Sequence, residues 1–127
     1  MNLVDSCGWL EYFADGTNAD FFATALEADP ETLLIPTLCL YEVFKHVLAH
    51  AGREEAVEKV AAMHQGNIIP LDEALALDAA LFSHEMKLSM ADSIILATAR
   101  RHGAILWTQD AHFKGVEGVQ YRLKQYT

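Results

Sequence analysis

Cysteine, basic residues and long apolar runs are all scarce in this chain, and each shortage removes a class of function. The two cysteines, Cys7 and Cys39, have neither CxxC spacing nor a neighbouring ligand pattern. They suit a reducing cytoplasm better than a secreted disulfide scaffold. Lys and Arg number nine against eighteen Asp and Glu, a formal net charge of −9. Phosphate contacts supply most non-specific nucleic-acid affinity, so a chain this acidic is expected to bind nucleic acid weakly through bulk electrostatics, which counts against a tight binder of duplex DNA. No apolar run approaches the ~18 residues needed to cross a membrane. The N-terminus has no basic region and places Asp5 where a signal peptide would be apolar. Three prolines and seven glycines exclude low-complexity and fibrous classes. Also missing are the Walker lysine motif, GxSxG, HExxH and GxGxxG.

What is present is an ordinary globular composition, 52% hydrophobic over 127 residues. That length suits a single domain spanning 1–127, able to bury roughly two-thirds of its unfolded surface without a staple. The charge is unevenly spread. Residues 1–86 hold 15 acids and three bases, whereas 87–127 hold three acids and six bases: Lys87, Arg100, Arg101, Lys114, Arg122 and Lys124. The basic C-terminal third is either a phosphate-contacting surface or a solvated face.

Short apolar segments alternate with helical patterns. Asn2–Asp5, Leu33–Pro36, Asn67–Leu71 and Ala104–Trp107 read as strands, and Val119–Tyr121 as a weak fifth. Between them lie Trp9–Phe13 stopped by Asp15-Gly16, a helix after the capping-box spacing Thr17–Asp20, and a longer one from Thr37 to Gly52. Arg53–Gln65 reads as amphipathic with Val57, Val60 and Ala61 inward. Asp72 caps a helix running to Met86, and Ser89–Asp92 opens the last, closed by His102-Gly103. The strands lack period-2 alternation, so both faces are covered. A mostly parallel, Rossmann-like sheet of four to five strands within a three-layer α/β/α domain follows.

In such a sheet chemistry collects beyond the carboxyl ends of the strands. Asp5 closes the first strand and Asp110 lies just past the fourth. Glu42 stands one and a half turns into the helix after the second, and Asp92 in the first turn of the helix before the fourth. Four converging carboxylates would repel and raise one another's pKa unless a hard divalent cation sat among them. Such a centre hydrolyses phosphodiesters. Each acid also has a plainer explanation. Asp5 and Asp110 can form turns, and Asp92 lies at capping-box spacing from Ser89. Glu42 interrupts an apolar helix face, so a buried carboxylate there needs a partner. Asp15, Asp29, Asp72 and Asp78 look like turn formers, caps or solvated helix positions.

The histidines and cysteines offer less. His46 and His50 share a helix face at metal-pair spacing, with no third ligand in view. His112, two residues after Asp110, is a candidate substrate contact. Cys7 near a strand end is either a nucleophile or a small core residue, and no histidine is tied to it by sequence.

These residues resemble the PIN-domain ribonucleases. The resemblance rests on Val4-Asp5-Ser6 with Trp9 and Tyr12-Phe13, and on Glu42 in the helix after Pro36. It continues in Ala91–Ile94 with Ala97–Ala99, and in Leu106–Asp110 with Phe113. The pattern is similar in particular to the VapC toxins of bacterial toxin–antitoxin pairs, almost end to end. The resemblance implies a Rossmann-like sheet, Mg²⁺ or Mn²⁺ dependence, endonucleolytic cleavage of RNA, a homodimer and a small VapB-type antitoxin that blocks the site. It implies that Asp5, Glu42, Asp92 and Asp110 are the metal-site acids, with Ser6 and Thr108 as hydroxyl helpers. Lys87 matches a basic position often found before the third acid and is expected at a phosphate. The residue before Phe113 is often acidic in that family and here is His112, which leaves one acid fewer for a second cation.

Two other classes compete. A PIN-like domain acting only as a binding module would share the fold without the chemistry. A phosphoryl-accepting receiver would want paired acids after the first strand and a phosphorylatable Asp after the third, where this chain has Asp5-Ser6 and Pro70-Leu71. A haloacid-type phosphatase would need an acid at position 7, where Cys7 stands.

Overall fold

The computed structural model describes residues 1–126 and contains five strands and six helices. Strands β1 (Asn2–Val4), β2 (Leu33–Pro36), β3 (Asn67–Ile69), β4 (Ile105–Thr108) and β5 (Val119–Tyr121) form one parallel sheet in the order β3-β2-β1-β4-β5. Helices α1 (Ser6–Phe13), α2 (Ala19–Leu26), α3 (Thr37–Ala51), α4 (Arg53–Met63), α5 (Glu73–Met86) and α6 (Met90–Arg101) complete a three-layer α/β/α arrangement. Register places Leu3 beside Leu34 and Leu106, and Val4 beside Trp107. The chain winds from β1 to β2 to β3 in one direction, then returns to place β4 on the other side of β1. The carboxyl ends of β1 and β4 therefore border the crevice where the strand order reverses.

The core joins Leu3, Val4, Leu34, Ile35 and Leu106 to Phe22, Val43, Met63, Ile95, Leu96 and Phe113, all fully or almost fully buried. Each such side chain stabilises the fold by roughly 2 kcal/mol through area removed from water. Helix α1 comes unusually close to α2: a Cβ at Gly8 would stand 2.6 Å from both Phe22 and Val4. Helix α6 is buried from Asp92 through Ala99, because it packs between the sheet and helices α3 and α5. Its small residues Ser93, Ala97 and Ala99 permit that approach.

Several local expectations shift. Strand β3 stops at Ile69 rather than Leu71, since Pro70 cannot donate to the next rung. Strand β4 runs Ile105–Thr108, one residue later than its apolar run, because pairing with β5 carries the ladder to Thr108. In α4 the inward face is Ala56 and Met63, whereas Val57 is 53% exposed and Ala61 is exposed. That helix packs mainly along α3, and Met63 joins the main core. Asn18 stands at the head of α2 without capping it through its side chain, which is engaged elsewhere. Asp72 does cap α5, accepting the Leu75 N–H at 2.8 Å. Asp29 accepts the Glu31 N–H at 3.0 Å, and Asp78 pairs with Arg101 at 3.5 Å.

Candidate active site

Asp5 ends β1 and caps α1 at once. Its backbone N–H donates to the Trp107 carbonyl at 2.9 Å, extending the ladder one step past the strand. Its Oδ1 accepts the Ser6 N–H at 2.8 Å, and its Oδ2 accepts the Thr108 hydroxyl at 2.8 Å. The same Thr108 oxygen accepts the Asp110 N–H at 2.9 Å. One hydroxyl thus ties the end of β1 to the turn that carries Asp110.

Glu42 finds the partner its position requires: the Ser6 hydroxyl donates to its Oε1 at 2.7 Å. The first turn of α6 brings in Asp92, whose N–H is capped by the Ser89 hydroxyl at 3.3 Å. Capping and site placement are here one feature, since the cap fixes the turn that aims the carboxylate. Asp110 opens a 3₁₀ turn, Ala111–Phe113, and its Oδ1 accepts the His112 N–H at 2.9 Å. That turn aims the exposed His112 ring at the acids, with Nδ1 3.3 Å from Asp92 Oδ2 and 3.1 Å from Asp110 Oδ1.

The carboxylates feel one another. Burial pushes the Asp5 carboxyl from 3.8 up to about 6, against the lowering effect of the Thr108 hydroxyl; the charges of Asp92 and then Glu42 add to the rise. The Asp92 carboxyl is also raised, by burial first and then by the Asp110 charge, with the His112 bond opposing. Three of the expected acids therefore bear on Asp5 or on its neighbour directly. Among the described residues no Lys or Arg pairs with any of the four acids. A divalent cation fits this donor set. Ligand atoms of Asp92, Asp110 and His112 lie within 4.8 Å of one another, and an uncompensated group of carboxylates is what a cation relieves.

Other expected residues fall outside the cluster. Lys87 is exposed in the left-handed turn between α5 and α6 and pairs with none of the four acids among the described residues. Of the C-terminal cations, Arg101 pairs with Asp72 at 3.1 Å, Arg122 lies 4.7 Å over the Phe21 ring, and Lys124 reaches Glu11 at 3.4 Å. His46 and His50 stack at 4.2 Å and join no third metal-type ligand among the described residues. Cys7 lies at the floor of the site, its Sγ 3.5 Å from both Asp5 Oδ2 and Thr108 Oγ1. Burial, followed by the Asp5 charge, pushes its thiol up to about 12, so it is a packing group and not a thiolate.

A polar bracket behind the site is not evident from the sequence. Glu11 accepts the Asn18 N–H at 2.9 Å, and Asn18 Nδ2 donates to Gln109 Oε1 and to the Leu123 carbonyl, each at 3.0 Å. Burial works against the Glu11 charge, but the Asn18 N–H and then Lys124 hold its carboxyl below the usual range. The bracket locks Gln109, which sits between Thr108 and Asp110. Its one visible signal is an acid, Glu11, inside the apolar stretch Trp9–Phe13. A cleft of about 580 Å³ opens between α1 and the C-terminal segment, bordered by Leu10, Tyr121, Lys124 and Tyr126 and reaching Cys7 and Asp110.

The PIN domain family model matches residues 3–119, and the chain belongs to that family. Among solved structures, a toxin–antitoxin complex from Klebsiella pneumoniae is similar at 28% identity and a TM-score of 0.78, covering 94% of this chain and 96% of that one. The Mycobacterium tuberculosis VapC20 structure, a Sarcin-Ricin loop cleaving toxin, aligns with a TM-score of 0.76 at 15% identity, over 92% and 95% of the two chains. VapBC2 from Rickettsia felis, bound to a DNA fragment from its promoter, gives 0.75 at 17% identity over 96% and 97%. At those last two identities the likeness concerns the fold. No curated protein matches the sequence. Among the described residues, no helix is long and apolar enough to cross a membrane.

Proposed function

We propose that the chain is a Mg²⁺- or Mn²⁺-dependent endoribonuclease, the toxin of a toxin–antitoxin pair. The observation that carries the reading is the gathering of Asp5, Glu42, Asp92 and Asp110 at the β1–β4 crevice with no Lys or Arg paired to any of them among the described residues. A divalent cation held there supplies positive charge at a phosphodiester oxygen and makes water a stronger nucleophile. Asp92 and Asp110, whose ligand atoms lie within 4.8 Å of each other, would be its nearest carboxylates, and the Thr108 hydroxyl ties the Asp110 backbone to the Asp5 carboxylate beside them. Asp92 adds a carboxylate from α6, and Glu42, held by the Ser6 hydroxyl, orients water or the cation from the other side. Burial first, and the neighbouring carboxylate charges after it, raise the Asp5 and Asp92 carboxyls, and a bound cation would favour their ionised forms.

The substrate is RNA held by few contacts. The cleft beside Asp110 accommodates a base against Tyr121 or Tyr126, and stacking of that kind does not need a basic surface. The engaged state of Arg100, Arg101, Arg122 and Lys124 leaves exposed Lys87 and Lys114 as the phosphate contacts of this reading. A small antitoxin partner is supported by the Klebsiella complex and by an apolar groove of about 470 Å³ along α3 and α4. Leu40, Tyr41, Phe44, Leu48 and Val60 line it, and Tyr41 is 59% exposed. Homodimerisation belongs to the same reading: Leu77, Leu81 and Met90 expose apolar surface on α5 and α6.

The test is cleavage of a mixed RNA pool by purified protein with Mg²⁺ or with EDTA, beside Asp5→Asn. The expected result is cleavage that needs the metal and disappears in the variant. Cleavage persisting in EDTA, or in a pure sample of Asp5→Asn, would overturn the assignment. Failure of the folded wild type to cleave any RNA while still binding it would favour a binding module.

A further inference from the structure

His112 is the only histidine among the described residues grouped with carboxylates in metal-ligand geometry. Its ring nitrogen Nδ1 is aimed at the acids, 3.1 Å from Asp110 Oδ1 and 3.3 Å from Asp92 Oδ2. Neighbouring ligand atoms on one small divalent cation stand about 3 Å apart when their bonds are about 2.1 Å. Both observed separations are near that spacing.

The backbone explains why the ring is there. Asp110 Oδ1 accepts the His112 N–H at 2.9 Å, capping the 3₁₀ turn that the Phe113 N–H closes on the Asp110 carbonyl at 3.0 Å, and the imidazole points back toward the carboxylate. Phe113, fully buried beside it, anchors the turn in the core. The His112 side chain is itself 73% exposed. Packing therefore does not hold the ring, and its contacts are with the two acids. An aspartate at this position would add a third like charge to the pair. The imidazole instead brings a softer nitrogen donor.

We propose that His112 Nδ1 is a direct ligand of the divalent cation, making this a nitrogen–oxygen centre that prefers Mn²⁺ to Mg²⁺. The inference rests on the metal-dependent reading of the site and extends it to the cation's identity. Mg²⁺ takes oxygen ligands almost exclusively, whereas a single imidazole raises affinity along the first-row series from Mn²⁺ upward. Asp92 and Asp110 supply carboxylate oxygens to the same ion, and Asp5 completes the approach from β1. Substituting His112 is thus a change of metal preference, distinct from the loss of metal expected when a carboxylate is removed.

The test is electron spin-echo modulation spectroscopy on the full-length protein loaded with Mn²⁺, with Mn²⁺ and Mg²⁺ dissociation constants measured by calorimetry. Wild type, His112→Gln and His112→Asp are compared. The expected result is ¹⁴N modulation in the wild type that disappears in both variants. The ratio of Mg²⁺ to Mn²⁺ dissociation constants should also fall about tenfold in His112→Asp. Mn²⁺ bound to the wild type without ¹⁴N modulation, or modulation that persists in His112→Gln, would overturn the nitrogen ligand and leave the metal-dependent nuclease standing. Absence of any Mn²⁺ or Mg²⁺ binding would overturn both.

Discussion

Replacing Asp5 by asparagine should make the metal-free protein more stable at neutral pH, not less. The Asp5 carboxyl is 5% exposed and its pKa is raised from 3.8 to about 6, chiefly by burial. A carboxyl raised in the folded state weakens the fold wherever it is ionised in both states. The penalty is complete above about 6, shrinks as pH falls through that value, and is gone below 3.8. The difference between those two values corresponds to roughly 3 kcal/mol, as an upper figure. Asparagine keeps the shape but loses one good acceptor toward Ser6 or Thr108, which costs about 1 kcal/mol. A net gain of about 2 kcal/mol at pH 7.5 translates into a melting point higher by about 5–8 °C for a chain of this size. Between pH 7.5 and 5 the wild type should recover about 1.4 kcal/mol through Asp5, and the variant nothing through this position. Asp92 contributes in the same sense in both proteins, so the informative quantity is the difference between the two curves. The assay is thermal unfolding in EDTA from pH 5 to 8, repeated with saturating Mn²⁺, which should lift the wild type more than the variant. An Asp5→Asn protein that melts at or below the wild type in EDTA at pH 7.5 would refute the argument that burying the Asp5 charge weakens the metal-free fold.

Three further outcomes follow from the same geometry. Thr108→Val removes the hydroxyl shared by Asp5 and the Asp110 backbone, and cleavage should fall about 10- to 100-fold while circular dichroism stays unchanged; activity within twofold of wild type would show the hydroxyl is incidental. Cys7→Ser should retain cleavage within a few-fold, and Cys7 should resist thiol reagents at pH 8 until the protein is denatured, since its thiol lies up at about 12; rapid native labelling would contradict this. Gly8→Ala should lower stability by about 1–3 kcal/mol in denaturant titration, because its methyl would meet Phe22 and Val4 at 2.6 Å, and an unchanged midpoint would mean that α1 and α2 separate freely.

The sequence by itself determined the alternation of strands and helices, the parallel sheet and the order of the four acids along the chain. Apolar strands without alternation mean two covered faces, and an acid directly after an apolar strand lies at a carboxyl end whatever packs around it. Glu42 could be singled out because a carboxylate on an apolar helix face demands a partner. Its identity, the Ser6 hydroxyl, belongs to a residue 36 positions away and came only with the fold. The decisions left to tertiary structure share that physical origin. The inward face of α4 depends on which neighbour covers it, so Val57 faces solvent although its spacing suits a core. The Glu11–Asn18–Gln109 bracket joins residues up to 91 positions apart, a pairing that no local pattern encodes. The aim of the exposed His112 ring at Asp92 depends on a turn capped by Asp110 and anchored by buried Phe113. Periodicity fixes which side of an element is apolar; only packing fixes what each polar group meets there, because hydrogen bonds and charge interactions act over a few ångströms in space and not along the chain.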